Sequence, residues 1–554
     1  MDIQRYALIG AIAVLSWMLL TEWVIFKDKA TEQQAIMAPL VEAPGSATIG
    51  DLSSDIPRVI DAADEPSFVN PSTISQGAVT VTTDTLVVTI DLQGGDIVYA
   101  GLRNYLAKLD NPSDPFVLLE QNARRVYVAQ SGLVGPDGTD TKQRAQYETE
   151  NTSYTLEDNQ NSLTVTLYHN GTNGLSVTKE FVFNRGTHLI DVNYRLANYD
   201  TESKTVYFFG QLKRDSSADP SSENSGMGLA PFLGAATSNT DDRFKKFTFA
   251  DMVEEPYKAQ TQGSWIAMIQ HYFLSAWIPN PNKTHTYTTR VTKDGFNIAG
   301  FLSPATIVAP GATTTASAKL YVGPKDQYSL EKISPFLELS VDYGWLWWIA
   351  QPLFWLLTKI HDLVGNWGVA IILLTVLIKG AFFKLSATSY RSMANMRRVQ
   401  PKMADIREQY ADDKQKQSQA MMELYKKEKI NPMGGCLPIL VQMPVFIALY
   451  WTLMESVELR HAPFALWIHD LSVMDPYFVL PILMGASMWF MQKLNPPPPD
   501  PMQAKLMQWL PIVFTFFFLW FPAGLVLYWV VNNLLSMTQQ YIITKQIENS
   551  APNR

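Results

Sequence analysis

The residues of this 554-residue chain that could do chemistry are few, and most are polar side chains set inside apolar runs. Lys379 lies in the run Asn366 to Ser386, with Thr375 one helical turn before it and Ser386 about two turns beyond, so the polar groups form a stripe on one helical face. At about 1.5 Å per residue the run is ~31 Å long, the thickness of a hydrocarbon core. A lysine near the centre of a spanning helix costs roughly 2.5 to 3.5 kcal/mol on insertion scales and is tolerated where it meets a partner or a wet cavity. Lys384 follows about one and a half turns later, so the other reading is an ammonium that snorkels to the interface; this helix alone does not choose. Tyr528, Asn532, Ser536 and Gln540, four apart, make a second stripe with Asn533 beside it, and Gln442 stands inside a third apolar run. Any one of these groups reads as a hydrogen bond to a neighbouring helix. Two striped helices and a lysine together point to a hydrated groove in the inner half of a bilayer.

Other chemistries find little support. His169, His188, His271 and His285 show no metal-ligand spacing, and there is no Gly-x-Ser-x-Gly, paired-carboxylate or Walker A pattern. Trp265, His271 and Trp277 could line a sugar groove, but aromatics at strand spacing are more often core. The five apolar runs read as later membrane spans, from Asn366 to Ser386 onward, hold no Asp or Glu, which a proton- or cation-coupled transporter is expected to need, and no inverted repeat of hydropathy is visible.

The elements that must position these groups fall into two unlike halves. The chain is 47% hydrophobic with a net charge of −8, but residues from about 27 to 340 are polar and those from about 344 to 545 carry the apolar runs. An apolar run, Tyr6 to Phe26, flanked by Arg5 and Lys27, predicts an N-terminal transmembrane anchor (1–28) rather than a cleaved signal peptide. A flexible linker rich in Ala, Pro, Ser and Thr follows (29–75). Residues 76–340 alternate apolar and polar positions in short runs between turn residues, among them Val79 to Asp91 before Gly94-Gly95, Leu163 to His169, Val177 to Phe183, and Trp265 to Ile278. That pattern predicts a large all-β sandwich. The single cysteine, Cys436, lies in the apolar half, so an exported β-domain is stable without disulfides.

In the apolar half, Gly344 to Val364 is tryptophan-rich and reads as an interfacial helix. The segment 387–432 reads as a helical hairpin, with Met393, Met396, Val399, Met403 and Ile406 on one face and a break at Ala411-Asp412-Asp413. Its basic residues, including Arg391, Arg397, Arg398, Lys402 and Arg407, mark a cytoplasmic side and are candidates for ribosome contact. Four further runs, Cys436 to Met454, Tyr477 to Gln492, Met507 to Phe521 and Leu525 to Thr544, complete a six-helix membrane protein with both termini inside, ending in a short tail (547–554).

The stretches NPMGGCLPILVQMPVFIALYWTL (Asn431 to Leu453), VELRHAPFALWIHDLS (Val457 to Ser472), DPYFVLPILMGASM (Asp475 to Met488) and FFLWFPAGLVLYWVVNN (Phe517 to Asn533) closely resemble the YidC/Oxa/Alb family of membrane protein insertases. The anchor and exported domain resemble the Gram-negative YidC type. The resemblance implies a β-supersandwich similar to galactose mutarotases, without sugar chemistry, ahead of an insertase core at 341–546 in the bacterial inner membrane with the large domain in the periplasm. It also implies a hydrophilic groove whose single positive charge is usually arginine. Lys379, within TVLIKG, stands at that place and keeps the charge without the bidentate fork. Thr375 matches a position implicated in substrate contact, and Trp529 stands where Tyr also occurs. Gln442, Tyr528, Trp529, Asn532, Asn533 and Ser536 complete the expected groove. The implied activity is insertion and folding of nascent membrane proteins, with no covalent step, cofactor or metal. Implied partners are SecYEG, SecDF, the ribosome, the targeting machinery and the lipid bilayer. The competing reading is a solute transporter or channel.

Overall fold

The computed structural model describes residues 55–57, 77–111, 113–141, 143–171, 173–222, 231–239, 241–428, 437–494 and 501–550. The expected anchor, nearly all of the linker, Cys436 and the proline-rich connection at 495–500 lie outside the described residues.

Successive side chains of a strand point to opposite faces, and Leu175–Asn184 shows the result: buried and half-buried residues alternate along its whole length. Among the described residues, an eleven-stranded sheet runs from Lys258–Gln262 through Thr284–Val291, Asn297–Leu302, Lys204–Arg214 and Val126–Val134 to Ser153–Thr155. An eight-stranded sheet runs from Lys245–Thr248 through Phe273–Pro279, Thr313–Pro324 and Leu189–Asn198 to Ser162–Asn170. Val79, Val88 and Phe208 of the first interleave with Val177, Val192 and Trp277 of the second in one core. The result is a sandwich. Two short helices, α1 (Phe249–Glu254) and α2 (Gln327–Ile333), decorate it.

Two of the alternating runs fold as hairpins rather than single strands. Val79 to Asp91 turns at Thr83, whose hydroxyl accepts the Leu86 N–H at 2.9 Å. Trp265 to Ile278 turns after Ile269, where the Gln270 N–H donates to the Phe273 carbonyl at 2.9 Å. In the first, the polar run Thr82-Thr83-Asp84-Thr85 marks the turn and shifts the apolar phase; in the second, Gln270-His271 interrupts two apolar stretches. Trp265, His271 and Trp277 are buried, and the indoles donate to the carbonyls of Pro335 and Gln211 (3.1 Å each), so they are core and not a groove. After the first hairpin, Gly94 and Gly95 both take positive φ (85° and 61°), and their carbonyls accept from the buried Lys179 ammonium at 3.0 and 2.7 Å.

The apolar half forms α3 (Trp347–Val364), α4 (Trp367–Ala381), α5 (Phe383–Gln409), α6 (Lys414–Lys427), α7 (Leu437–Glu455), α8 (Val479–Leu494), α9 (Pro501–Phe518) and α10 (Ala523–Ser550). α3 buries Ala350, Phe354, Leu357 and Ile360 and exposes Trp347, Trp348 and Trp355, so it is two-faced. It ends on Gly365 in the left-handed region (φ 67°), and Asn366 caps α4 by accepting the Val369 N–H at 3.0 Å. α4 is shorter than the predicted span. It stops at Ala381, and Phe382 leaves helical geometry (φ −89°, ψ 9°) before α5 begins. Lys379 therefore occupies the last turn of a 15-residue helix, not the centre of a span, and the hairpin starts before residue 387. Apolar character continues through Ala381-Phe382-Phe383, which masks the break in sequence. Among the described residues no single helix is long and apolar enough to cross a membrane; α4 and α5 meet the criterion only as a pair.

By backbone proximity the described parts of Ala47–Phe383 and Ile439–Gln539 form one unit, and those of Lys384–Pro438 and Gln540–Arg554 another. In the second, α5 and α6 pack through Val399, Met403 and Leu424, with Met396, Ile406 and Met421 around them. Asp413 caps α6 through the Gln415 and Lys416 N–H groups, both at 3.1 Å.

In the first unit, the connection leaving α7 is seated in the β-domain. Val457 belongs to the β-sandwich core. The His271 ring meets the Met454 carbonyl through Nε2 at 2.9 Å, and Lys325 pairs with Glu455 at 2.6 Å with 3% and 4% of the two side chains exposed. The Arg460 guanidinium lies over the rings of Phe116 and Phe273 and donates to the Ala107 carbonyl at 3.2 Å. The same connection then caps α10: the N–H groups of Ala523 and Gly524 donate to the carbonyls of Val473 (2.7 Å) and Leu471 (2.9 Å).

Candidate functional site

Three helices bring the polar groups together. Lys379, in the last turn of α4, is only 6% exposed, and its ammonium donates to Ser536 Oγ of α10 at 2.7 Å and to Gln442 Oε1 of α7 at 3.3 Å. The Gln442 amide donates in turn to Asn532 Oδ1, and Ser536 donates to the Asn532 carbonyl at 2.7 Å. Lysine, glutamine, asparagine and serine thus form a connected hydrogen-bonded cluster. The ammonium turns inward to these neighbours. Among the described residues no carboxylate pairs with Lys379, so the positive charge is held only by neutral acceptors. An isolated ion in a low-dielectric setting is costly, and hydrogen-bonding dipoles offset only part of that cost.

The other expected site residues divide. Thr375 is buried one turn from Lys379, but its hydroxyl donates to the Ile371 carbonyl at 2.7 Å and does not join the cluster. Asn533, next to Asn532, faces α8 and donates to Ser487 Oγ at 2.9 Å. Ser487 was not singled out from sequence; a serine inside the apolar run MGASM was the available signal. Tyr528 is buried against Phe446, and Trp529 meets that ring edge-on at 4.5 Å and lies 5.1 Å from Phe518. These two aromatics form the apolar flank of the cluster. On the hairpin, Arg391, Arg397, Arg398 and Lys402 are exposed and Arg407 is half-buried; Lys402 pairs with Glu428 at 2.7 Å.

Two family models match the chain: one described as YidC periplasmic domain covers residues 78–356, and one described as 60Kd inner membrane protein covers 359–550. The membrane protein insertase YidC of Marinomonas sp. is 52% identical over 557 residues, covering 100% of both chains. The chain belongs to the YidC family. Its β-sandwich is the family's periplasmic domain and its helical half the family's inner-membrane part. The YidC insertase of Stutzerimonas stutzeri is 50% identical over the same length, again with 100% coverage of both chains. A solved structure of an active YidC insertase aligns with 84% of this chain and 93% of its own at 18% identity, with a TM-score of 0.37.

Proposed function

We propose that the chain is a membrane protein insertase that takes nascent inner-membrane proteins through a positively charged polar groove built on α4, α7 and α10. The observation that carries this reading is the buried Lys379 ammonium, held by Gln442 and Ser536 without a counter-ion among the described residues. A translocated acidic segment supplies the missing negative charge, while Gln442, Asn532 and Ser536 exchange hydrogen bonds between one another and the incoming backbone. The charge lowers the cost of bringing that segment part-way into the bilayer. Net drive comes from the substrate's own apolar helix, about −0.3 to −0.6 kcal/mol for each Leu, Ile, Phe or Val at its centre. The helix leaves sideways past the apolar faces of the third and fifth spans into lipid, while Asn533 holds α10 to α8 through Ser487. No covalent bond changes.

Six spans are part of this proposal, with the anchor at 1–28 as the first, as are domain limits of 76–340 and 341–546. The basic face of α5, with exposed Arg391, Arg397, Arg398 and Lys402 and half-buried Arg407, is the proposed contact for the ribosome and targeting factors, and SecYEG and SecDF are proposed partners. The test is reconstitution of the full chain in liposomes with a substrate carrying a short acidic tail. Lys379→Ala is expected to slow insertion about 10- to 100-fold, the equivalent of one hydrogen bond to a charged group, while Lys379→Arg retains it. Equal insertion by wild type and Lys379→Ala removes the role of the charge. Passage of a small solute through the same liposomes would favour a channel instead.

A further inference from the structure

The sheet face turned away from the sandwich core carries a second polar array. Along Lys204–Arg214, the residues Phe208 and Leu212 enter the core, so Tyr207, Phe209, Gln211 and Lys213 belong to the opposite face. Gln211 is opposite Gln130 on the neighbouring strand, and Arg290 comes from Thr284–Val291. Gln211 and Arg290 are both almost completely buried, and Arg290 donates to Gln211 Oε1 at 2.7 Å. A short piece of this chain, Asp55-Ile56-Pro57, lies on that array. Gln211 Nε2 and Arg290 Nη2 donate to the Asp55 main-chain carbonyl at 2.7 and 3.2 Å. Lys213 pairs with the Asp55 carboxylate at 2.8 Å, and Ile56 packs on Val134, Phe209 and Leu302.

We infer that this face is a peptide-binding site, filled here by the chain's own Asp55-Ile56-Pro57 and able to accept another extended segment with an acidic residue followed by an aliphatic one. Three features define the ligand. The buried amide and guanidinium grip a carbonyl of the main chain, which every peptide has. Lys213, at the rim, selects an acidic side chain, and the Val134, Phe209 and Leu302 pocket selects the aliphatic one. Because residues 58–76 tether the occupant to the first strand, it competes at high effective concentration. A free peptide therefore binds well only once the tethered one is removed. The inference goes beyond the insertase reading, and its readout is binding alone.

The test uses the full chain in detergent and a fluorescein-labelled peptide Ser-Ser-Glu-Val-Pro-Arg. A released variant, Asp55→Gly with Ile56→Gly and Pro57→Gly, is expected to bind the peptide at least tenfold more tightly than wild type. Adding Gln211→Ala to that variant is expected to abolish the gain, and a peptide with Gln for Glu and Ser for Val is expected to bind neither. If the released variant binds no better than wild type, or binds equally with Gln211→Ala, the site does not exist. Hydrogen exchange on wild type covers the case in which a variant misfolds: excess unlabelled peptide should speed exchange of the Ile56 amide, and no change there also overturns the inference.

Discussion

Breaking the Lys325–Glu455 pair is the sharpest structural test of how the β-domain holds the helical part. The two charges are 2.6 Å apart, with 3% and 4% of their side chains exposed, and Glu455 is the last residue of α7. Removing one partner leaves the other buried and unpaired, a loss of about 3–5 kcal/mol, whereas replacing both by apolar residues of similar volume is close to neutral. Lys325→Met and Glu455→Leu are therefore each expected to lower the free energy of opening the junction by that amount, and the double variant to recover most of it. At about 1.4 kcal/mol per factor of ten, amide exchange at Val457 and Leu459 in the full chain in detergent should speed up by roughly two to three and a half powers of ten in each single variant. It should return to within about tenfold of wild type in the double. Single variants that exchange like wild type, or a double as fast as the singles, would refute the idea that this ion pair fastens the end of α7. Because Gln442 belongs to the same helix, the single variants are also expected to slow insertion, and the double to restore it.

The Glu458 carboxyl, in the turn after α7, is pushed up from 4.5 to about 7 by burial, with nearby Asp326 adding repulsion. Its folded value is raised, so its contribution to stability is complete below pH 4.5 and disappears as pH rises through 7. Glu458→Gln should abolish this loss, leaving the variant about 3 kcal/mol more stable than wild type near pH 8 and equal to it at the acid end, measured by denaturant titration at each pH. In α8, Gly485 faces the Thr515 hydroxyl of α9 with no room for a Cβ. Gly485→Ala should lower stability by about 1–3 kcal/mol, and Thr515→Ala in the same chain should restore it; a variant as stable as wild type would mean the helices separate freely. In the hairpin, Met403→Ala should cost about 2–3 kcal/mol of hairpin stability, read as faster exchange along α6, since Met403 packs with Val399 and Leu424. Unchanged exchange would place that contact outside the hairpin's core.

Much of this protein is legible in sequence because two physical periods are written plainly in it. Period-2 alternation from Val79 to Val322 is enough to specify sheets that share a core, and apolar runs after Gly344 are enough to specify helices for a membrane. Sequence also places Lys379 on a polar face and Met396, Val399 and Met403 on a common apolar one, since spacing along a helix fixes which side chains share a side. It cannot say what that side meets. Asn532 and Asn533 are neighbours in the chain, but about 100° of helical rotation sends one to Gln442 and the other to Ser487. Thr375 shares a face with Lys379 and still satisfies its hydroxyl within its own helix. Lys325 and Glu455 are 130 positions apart, and neither carries a local signal of the other. Such pairings arise only when packing brings distant helices and strands within hydrogen-bond reach. Sequence determined that a lysine stands on the polar face of an apolar helix; tertiary structure decided that it is buried, and that glutamine and serine, and no carboxylate among the described residues, hold it.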